Sequence, residues 1–202
     1  KEEKANHKIK QLIEAKKIGL EIPETIATND TEEARKFLID QKKIVFKPLF
    51  HSGQISSKDN QYLYTKPVNE TDLDGPTMEC PGVFQRHIDK KYDLRIIVIG
   101  ERVYPMAIYS QSSEEGKTDW RRANFSDLEC ALVKIDEEIK EKCLAINKRF
   151  GIYTSAIDFA IDKQGKSYFL DLNPGGRWLQ FELASGIKIS DGFLELFNNL
   201  SN

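Results

Sequence analysis

The most informative part of the sequence is a pair of apolar segments, IDFAI at 157–161 and YFLDLN at 168–173. Each segment has the length and composition of a β-strand. Gln164-Gly165 lies between them and predicts a two-residue hairpin turn, which sets the register of the two strands. In that register, Asp158 lies directly opposite Asp171.

Two carboxylates that face each other across a hairpin repel and weaken the strand pairing. Asn173 shares a face with Asp171, because side chains alternate along a strand. The local sequence offers no basic partner on that face, and Mg²⁺ prefers oxygen ligands of this kind. The pattern therefore predicts a metal site at Asp158, Asp171 and Asn173. A three-residue turn or a one-residue shift would put the aspartates on different faces, and this alternative stays open.

Several basic residues have neighbours that are typical of phosphate-binding sites. Lys47 ends an apolar strand and precedes a polar loop, His51 to Asn60, whose backbone N–H groups could close over phosphates. Arg95 interrupts an apolar strand, Arg121 follows Asp-Trp, and Arg177 follows Pro-Gly-Gly. Arginine is suited to bidentate phosphate contacts. Judged singly, each of these residues is better explained as a surface residue or an ion-pair partner, and only together do they point to a phosphate site.

Composition excludes several classes of protein. The 202 residues carry a net charge of -2, which gives no broad basic field for nucleic acid. No apolar run approaches the roughly 20 residues of a membrane span. The cysteines (Cys80, Cys130 and Cys143) have neither metal-ligand spacing nor the pattern of a disulfide framework. We therefore expect a cytoplasmic protein with reduced thiols, and neither nucleic acid nor a membrane as partner.

The order of predicted elements indicates an α+β fold. Residues 4–17 have helical periodicity, and residues 135–150 form a second helix that Gly151 ends. Strands are expected at Leu20 to Ala27 and at Tyr62 to Thr65, and more follow as antiparallel hairpins. Regular βαβ alternation, which would indicate a parallel doubly wound sheet, is not visible.

In their order along the chain, these residues resemble the ATP-grasp superfamily. The strongest match is Asp158, Asp171 and Asn173, which looks like the metal triad D…[E/D]-x-N. The resemblance implies ATP and Mg²⁺ as cofactors, with Lys8 and Lys47 as the two nucleotide lysines. It also implies a hinge that holds adenine mainly through its backbone, formed by Gln85, Arg86, His87 and Ile88.

Two further motifs resemble the elements of this family that contact the ribose and the phosphates of the nucleotide. Asp93-Leu94-Arg95 is similar to the element that reaches the ribose and phosphates, and Asp119-Trp120-Arg121 to a phosphate-binding arginine motif. By this resemblance, Arg95, Arg121 and Arg177 would act on the transferring phosphoryl group. Arg86 stands where an acidic residue is common, and Asp171 where Glu is commoner.

Within the superfamily, the phrases at 84–111, 119–122 and 170–186 resemble the microviridin-type peptide macrocyclases, the graspetide synthetases. The resemblance implies two α+β subdomains with antiparallel sheets that enclose a nucleotide site. The small subdomain would span 20–85 and the large one 86–202. Residues 1–19 would form a helix that follows a further, N-terminal domain.

The activity implied is an ATP-dependent carboxylate–amine or carboxylate–hydroxyl ligase that works through an acyl phosphate. Its substrate would be a ribosomally made precursor peptide that gains side-chain ester or amide crosslinks, and a homodimer is an open possibility. Alternatives that stay open are a ligase of small molecules or protein termini, a small-molecule kinase, and a nucleotide-binding module without catalysis.

Overall fold

The computed structural model describes residues 2–49, 64–74 and 80–201. The helices are α1 (Glu2–Ala5), α2 (Lys8–Lys17), α3 (Thr31–Gln41), α4 (Glu137–Phe150), α5 (Leu179–Ser185) and α6 (Ser190–Ser201). The strands are β1 (Thr25–Thr28), β2 (Ile44–Pro48), β3 (Lys66–Val68), β4 (Gly82–Arg86), β5 (Lys90–Ile99), β6 (Arg102–Ile108), β7 (Cys130–Leu132), β8 (Thr154–Asp162) and β9 (Ser167–Asn173).

The first sheet is antiparallel and has the strand order β1-β4-β2-β3. Helix α3 begins after Asp30, whose carboxylate accepts a hydrogen bond from the backbone N–H of Glu33 (2.9 Å). This cap satisfies one of the N–H groups that the first turn of a helix leaves without a partner. Ala34 of α3 is buried in the small core of this sheet, together with Ile44, Val68, Leu73 and Phe84.

The second sheet is also antiparallel, with the order β7-β6-β5-β8-β9, and both of its faces are covered. Alternation along β5 sends Leu94, Ile96 and Val98 into a core with α2 and α4. Ile97 and Ile99 enter a second core with α5 and α6. Arg95 is on this second face, so the sheet itself carries polar groups to one side.

The hairpin of β8 and β9 confirms the opposed aspartates but not the predicted turn. The N–H of Asp162 donates to the carbonyl of Lys166 (3.0 Å), so the turn has three residues, 163–165. A three-residue turn alone would have shifted the register by one residue. A bulge at Leu170 of β9, which lies between the partners of Asp158 and Phe159, reverses that shift, and Asp158 pairs with Asp171.

Two other sequence predictions were wrong in their bounds. The helix expected over 4–17 is broken at residues 6 and 7, because His7 is extended and serves as the N-cap of α2. The strand expected over 20–27 is shorter, since Leu20 packs in the core and the carbonyl of Glu21 accepts from the N–H of Phe169 (2.8 Å).

Some predictions fall outside the described residues. The polar loop at 51–60 does so entirely, and so do two residues of the strand predicted at 62–65, where 64–65 are not in a strand. Within the described ranges, no helix has the length and apolar character that crossing a membrane requires.

Candidate functional site

A cleft of about 690 Å³ is lined by residues of both sheets. All thirteen residues that the sequence predicted for the site line this cleft: Lys8, Lys47, Gln85, Arg86, His87, Ile88, Asp93, Arg95, Arg121, Asp158, Asp171, Asn173 and Arg177. They come from helix α2, from five strands and from three connecting segments. The fold therefore gathers into one cavity residues that are up to 169 positions apart, from Lys8 to Arg177.

The two opposed carboxylates each have a cation beside them. Nη1 of Arg95 lies 2.8 Å from both oxygens of Asp158, and Nζ of Lys8 lies 3.4 Å from Oδ1 of Asp171. The local sequence offers no basic partner on this face, but the fold supplies two. Arg95 is the β5 neighbour of Asp158, and Lys8 comes from a helix at the other end of the chain, so neither is local in sequence.

The oxygen atoms of this face suit a divalent cation. Asn173 adds an amide oxygen, which also accepts from the N–H of Gly175 (3.0 Å). The described part of the chain contains no cluster of three or more His, Cys, Asp or Glu side chains that could hold a metal alone. Two carboxylates and an amide fit Mg²⁺, which is usually held by one or two carboxylates plus substrate phosphates.

Lys47 is the penultimate residue of β2 and lines the cleft beside Gln85. Its ammonium donates to Oε1 of Gln85 (2.7 Å), whose amide nitrogen donates to Oγ1 of Thr25 (2.9 Å). Desolvation lowers the pKa of Lys47 to about 8, although the negative charge of Asp171 opposes the shift. The Gln85 side chain is thus occupied with holding Lys47.

The hinge segment continues from β4. Arg86 is held by an ion pair with Glu24 and lies over the ring of Tyr168, with 5.3 Å from Cζ to the centroid. The N–H of His87 donates to the carbonyl of Lys43 (2.9 Å), and burial lowers the pKa of the His87 imidazole. Beyond it, an apolar wall of the cleft is formed by Ile88, Ala160 and Leu170.

Arg121 lines the cleft and is held there by Asp119. Its Nε and Nη2 donate to the two oxygens of Asp119 at 2.8 and 2.7 Å. The guanidinium holds the pKa of Asp119 at about 2 against the effect of burial. Asp119 also accepts from the N–H of Thr65 (3.4 Å), just before β3, so one carboxylate contacts both sides of the cleft.

Lys90 is a cleft residue that the sequence reasoning missed. Its ammonium donates to Oδ1 of Asp93 (2.8 Å), and both residues are buried at the start of β5. In the sequence, Lys90 stands within Asp-Lys-Lys, which reads as a solvated turn. Its spacing of three residues from Asp93 could not reveal the pair, because β5 is irregular between Lys90 and Tyr92.

Arg177 follows a tightly packed turn. A Cβ atom on Gly176 would lie 2.2 Å from Cβ of Ala156 and 2.9 Å from its backbone nitrogen. Only glycine at position 176 permits the turn to lie this close to β8. The close approach places Arg177 in the cleft lining together with Asn173.

Comparison with solved structures finds proteins of similar fold. A ligase from Chryseobacterium gregarium, described as a RiPP-associated ATP-grasp ligase in complex with ADP and a leader and core peptide, matches 98% of this chain and 61% of its own, with 29% identity and a TM-score of 0.87. The macrocyclase MdnC from Microcystis aeruginosa MRC, bound with precursor peptide MdnA, matches 98% of this chain and 62% of its own, with 31% identity and a TM-score of 0.82.

A third structure, the macrocyclase MdnB from Microcystis aeruginosa MRC, shares 25% identity over 95% of this chain and 58% of its own, with a TM-score of 0.72. The chain thus spans about three fifths of the length of these proteins. No curated protein sequence matches it. The sequence model of the RimK-like ATP-grasp domain matches residues 4–197, so the chain belongs to the family of RimK-like ATP-grasp domains.

Proposed function

We propose that this chain is the nucleotide-binding and catalytic part of an ATP- and Mg²⁺-dependent ligase that crosslinks side chains of a ribosomally made precursor peptide. The observation that carries the proposal is the single cleft in which Asp158, Asp171 and Asn173 face the lysines and arginines described above. Family membership supports the use of ATP. The peptide substrate is proposed because two similar proteins were solved with precursor peptides.

In the proposed reaction, a carboxylate oxygen of an Asp or Glu side chain forms a bond to the γ-phosphorus of ATP. The bond from that phosphorus to the β,γ-bridging oxygen breaks, which leaves ADP and an acyl phosphate. A hydroxyl or amine of the same peptide then attacks the acyl carbon and loses its proton, and inorganic phosphate departs. The product is an ester or an amide.

The residues of the chain have distinct parts in this scheme. Ile88, Ala160 and Leu170 supply an apolar surface for the adenine, and the hinge backbone supplies its polar contacts. Lys8 and Lys47 bind phosphate oxygens, and Asp158, Asp171 and Asn173 hold Mg²⁺. When bound, Mg²⁺ neutralises charge on the β- and γ-phosphates.

Three arginines (Arg95, Arg121 and Arg177) stabilise the charge of the transferring phosphoryl group, each from a different segment. Arg95 is the most deeply buried of these and is packed between Trp120 and Phe181, with 5.4 and 5.6 Å from Cζ to the ring centroids. This packing fixes the guanidinium beside Asp158 in the lining of the cleft, where its charge acts on the phosphoryl group. We propose the cytoplasm, which supplies ATP, as the place of this reaction.

The first test is Mg-ATP binding by calorimetry on the wild type and on Asp171→Asn. This substitution removes one negative charge from the metal site and keeps the side-chain shape. The proposal expects metal-dependent binding that weakens at least about tenfold in the variant. Asp40→Asn, at an exposed position on α3, is the matched control and should bind as the wild type does. Equal binding by Asp171→Asn and the wild type would show that Asp171 is not a ligand.

Substrate class needs a second measurement. The protein would be incubated with Mg-ATP and peptides encoded beside its gene, and the mass of the peptide would be followed together with ADP and phosphate. Loss of one water per crosslink with release of both products supports the peptide ligase. ADP release without free phosphate would instead indicate a kinase, and turnover with a free amino acid would indicate a small-molecule ligase.

A further inference from the structure

A buried ion pair between Lys90 and Asp93 lies at the start of β5 in the cleft wall, and Lys90 has no role in the scheme above. Lys90 is 6% exposed and Asp93 is 5% exposed, with 2.8 Å between Nζ and Oδ1. Replacing a buried ion pair by apolar side chains of similar volume is often neutral for stability or stabilising. The free energy of folding therefore gives no reason for a buried lysine at this position.

The two residues of the pair form hydrogen bonds with two positions in the connection between β6 and β7. The hydroxyl of Ser110, which is fully buried, donates to Oδ2 of Asp93 (2.5 Å). Nζ of Lys90 donates to the carbonyl of Thr118 (3.2 Å). Both ends of segment 110–118 are thus hydrogen-bonded to β5, one through each member of the ion pair.

The next residue along the chain is Asp119, which is 4% exposed and holds Arg121 by two hydrogen bonds. A displacement of the Thr118 carbonyl moves Asp119 and, with it, the guanidinium of Arg121. Trp120 between them is also buried, against Phe125 and Phe181. The segment therefore transmits the position of Lys90 to Arg121 through two rigidly held residues.

We infer that Lys90 is a positioning residue, which through Thr118 and Asp119 fixes Arg121 in the direction of the transferring phosphoryl group. The inference rests on the proposed function for the identity of that group. It assigns Lys90 no contact with the nucleotide, because two of its N–H donors are already directed at Asp93 and Thr118. Loss of Lys90 should therefore affect recognition of the γ-phosphoryl group and leave recognition of ADP intact.

The test compares Mg-ADP alone with Mg-ADP plus aluminium fluoride, which occupies the place of the γ-phosphoryl group. Calorimetry on Lys90→Met should give a Kd for Mg-ADP within about threefold of the wild type. The factor by which aluminium fluoride tightens Mg-ADP binding should be smaller than in the wild type by about tenfold or more. Lys91→Met is the matched control, since Lys91 is exposed one position along β5. It should retain the full gain.

A second variant covers the case in which Lys90→Met does not fold. Ser110→Ala removes one hydroxyl from the same clamp with a minimal change of volume, and it should lose part of the fluoride-dependent gain with unchanged Mg-ADP affinity. A full gain in the folded Lys90→Met protein, or in Ser110→Ala where only that variant folds, would overturn the inference.

The position of the segment can also be measured without any nucleotide. In a Trp178→Phe background, Trp120 is the one tryptophan, and acrylamide should quench its fluorescence more strongly in Lys90→Met than in Lys91→Met. Equal quenching would contradict a positioning role. Failure of the wild type to bind Mg-ADP would count against the proposed function alone, because the quenching result judges the role of Lys90 independently.

Discussion

Each carboxylate of the opposed pair lies beside a cation that belongs to the protein. Arg95 contacts Asp158 at 2.8 Å, and Lys8 contacts Asp171 at 3.4 Å. The side chain of Lys8 is only 11% exposed, so this contact is little screened by water. A divalent cation that binds Asp171 must therefore compete with the ammonium of Lys8.

Lys8→Met is accordingly expected to have effects of opposite sign on two ligands. Mn²⁺ alone should bind several-fold more tightly, because a positive charge next to Asp171 is removed. Mg-ATP should bind more weakly, because a phosphate ligand is lost. Electron paramagnetic resonance of Mn²⁺ and calorimetry measure the two affinities, with exposed Lys10 replaced by Met as the control. Weaker Mn²⁺ binding in Lys8→Met would contradict the competition.

The lowered pKa of Lys47 predicts how nucleotide affinity depends on pH. Its pKa of about 8 lies below the usual value because of burial, so the ammonium is charged at pH 7 and loses its proton as the pH rises through 8. Phosphate binding favours the charged form, and binding above pH 8 therefore requires proton uptake. Mg-ATP affinity should fall about tenfold between pH 7 and pH 9.

The measurement is calorimetry in buffers of different ionisation enthalpy, which counts the protons taken up. Lys47→Arg keeps its charge over this range and should remove most of the pH dependence. A profile for the wild type that stays flat up to pH 9 would show that Lys47 does not bind the phosphates.

At the scale of elements, the hairpin illustrates how two irregularities can cancel. The turn has one residue more than the sequence pattern indicated, and the bulge beside Asp158 absorbs it. Strand alternation then directs Ile157, Phe159 and Leu172 into the core and the aspartates into the cleft. Burial of these apolar side chains sets the face of each strand, and the bulge adjusts the pairing between them.

The turn after β9 offers a test of close packing. Gly176→Ala should destabilise the protein by about 1–3 kcal/mol, because the new methyl group would overlap Ala156 and push the turn away from β8. Thermal unfolding measures the loss, and Mg-ATP affinity should fall as Arg177 moves. Gly175→Ala is the neighbouring control, since its nearest atom would be 3.8 Å away. Equal stability of the two variants would contradict the packing argument.

At the scale of the whole molecule, the cleft joins two sheets that have separate cores. We propose 20–85 and 86–202 as the two subdomains, with Thr65 and Asp119 in contact across the cleft at 3.4 Å. A nucleotide that contacts both sheets adds interactions that exist only in the folded state. Its binding should therefore stabilise the protein as a whole.

Mg-ATP at about one hundred times its Kd should stabilise the protein by about 2.7 kcal/mol. For a chain of this size that corresponds to a rise in Tm of roughly 5–10 °C. Differential scanning fluorimetry measures it, and the rise should be largely absent in Asp171→Asn and present in Asp40→Asn. A rise of equal size in both variants would mean that the nucleotide binds without the hairpin.

The sequence was sufficient for the residue types of the site and their order. The two aspartates on one hairpin, a lysine near a strand end and arginines after short motifs are local patterns, because strand alternation acts over a few residues. The facing of the aspartates depended also on the bulge, which the sequence pattern did not indicate. The family resemblance rests on the same local phrases, and it is confirmed over residues 4–197. The roles of the individual site residues stay predictions.

Tertiary structure alone decided which charges lie next to each other. Arg95 meets Asp158 across neighbouring strands, Lys8 meets Asp171 over 163 positions, and Lys90 reaches the carbonyl of Thr118 on a different segment. No periodicity connects such residues, since their proximity depends on strand order and on which core each helix enters. Coulomb interactions and desolvation vary with distance and burial, so the partners and the shifted pKa of Lys47 follow only from the folded chain.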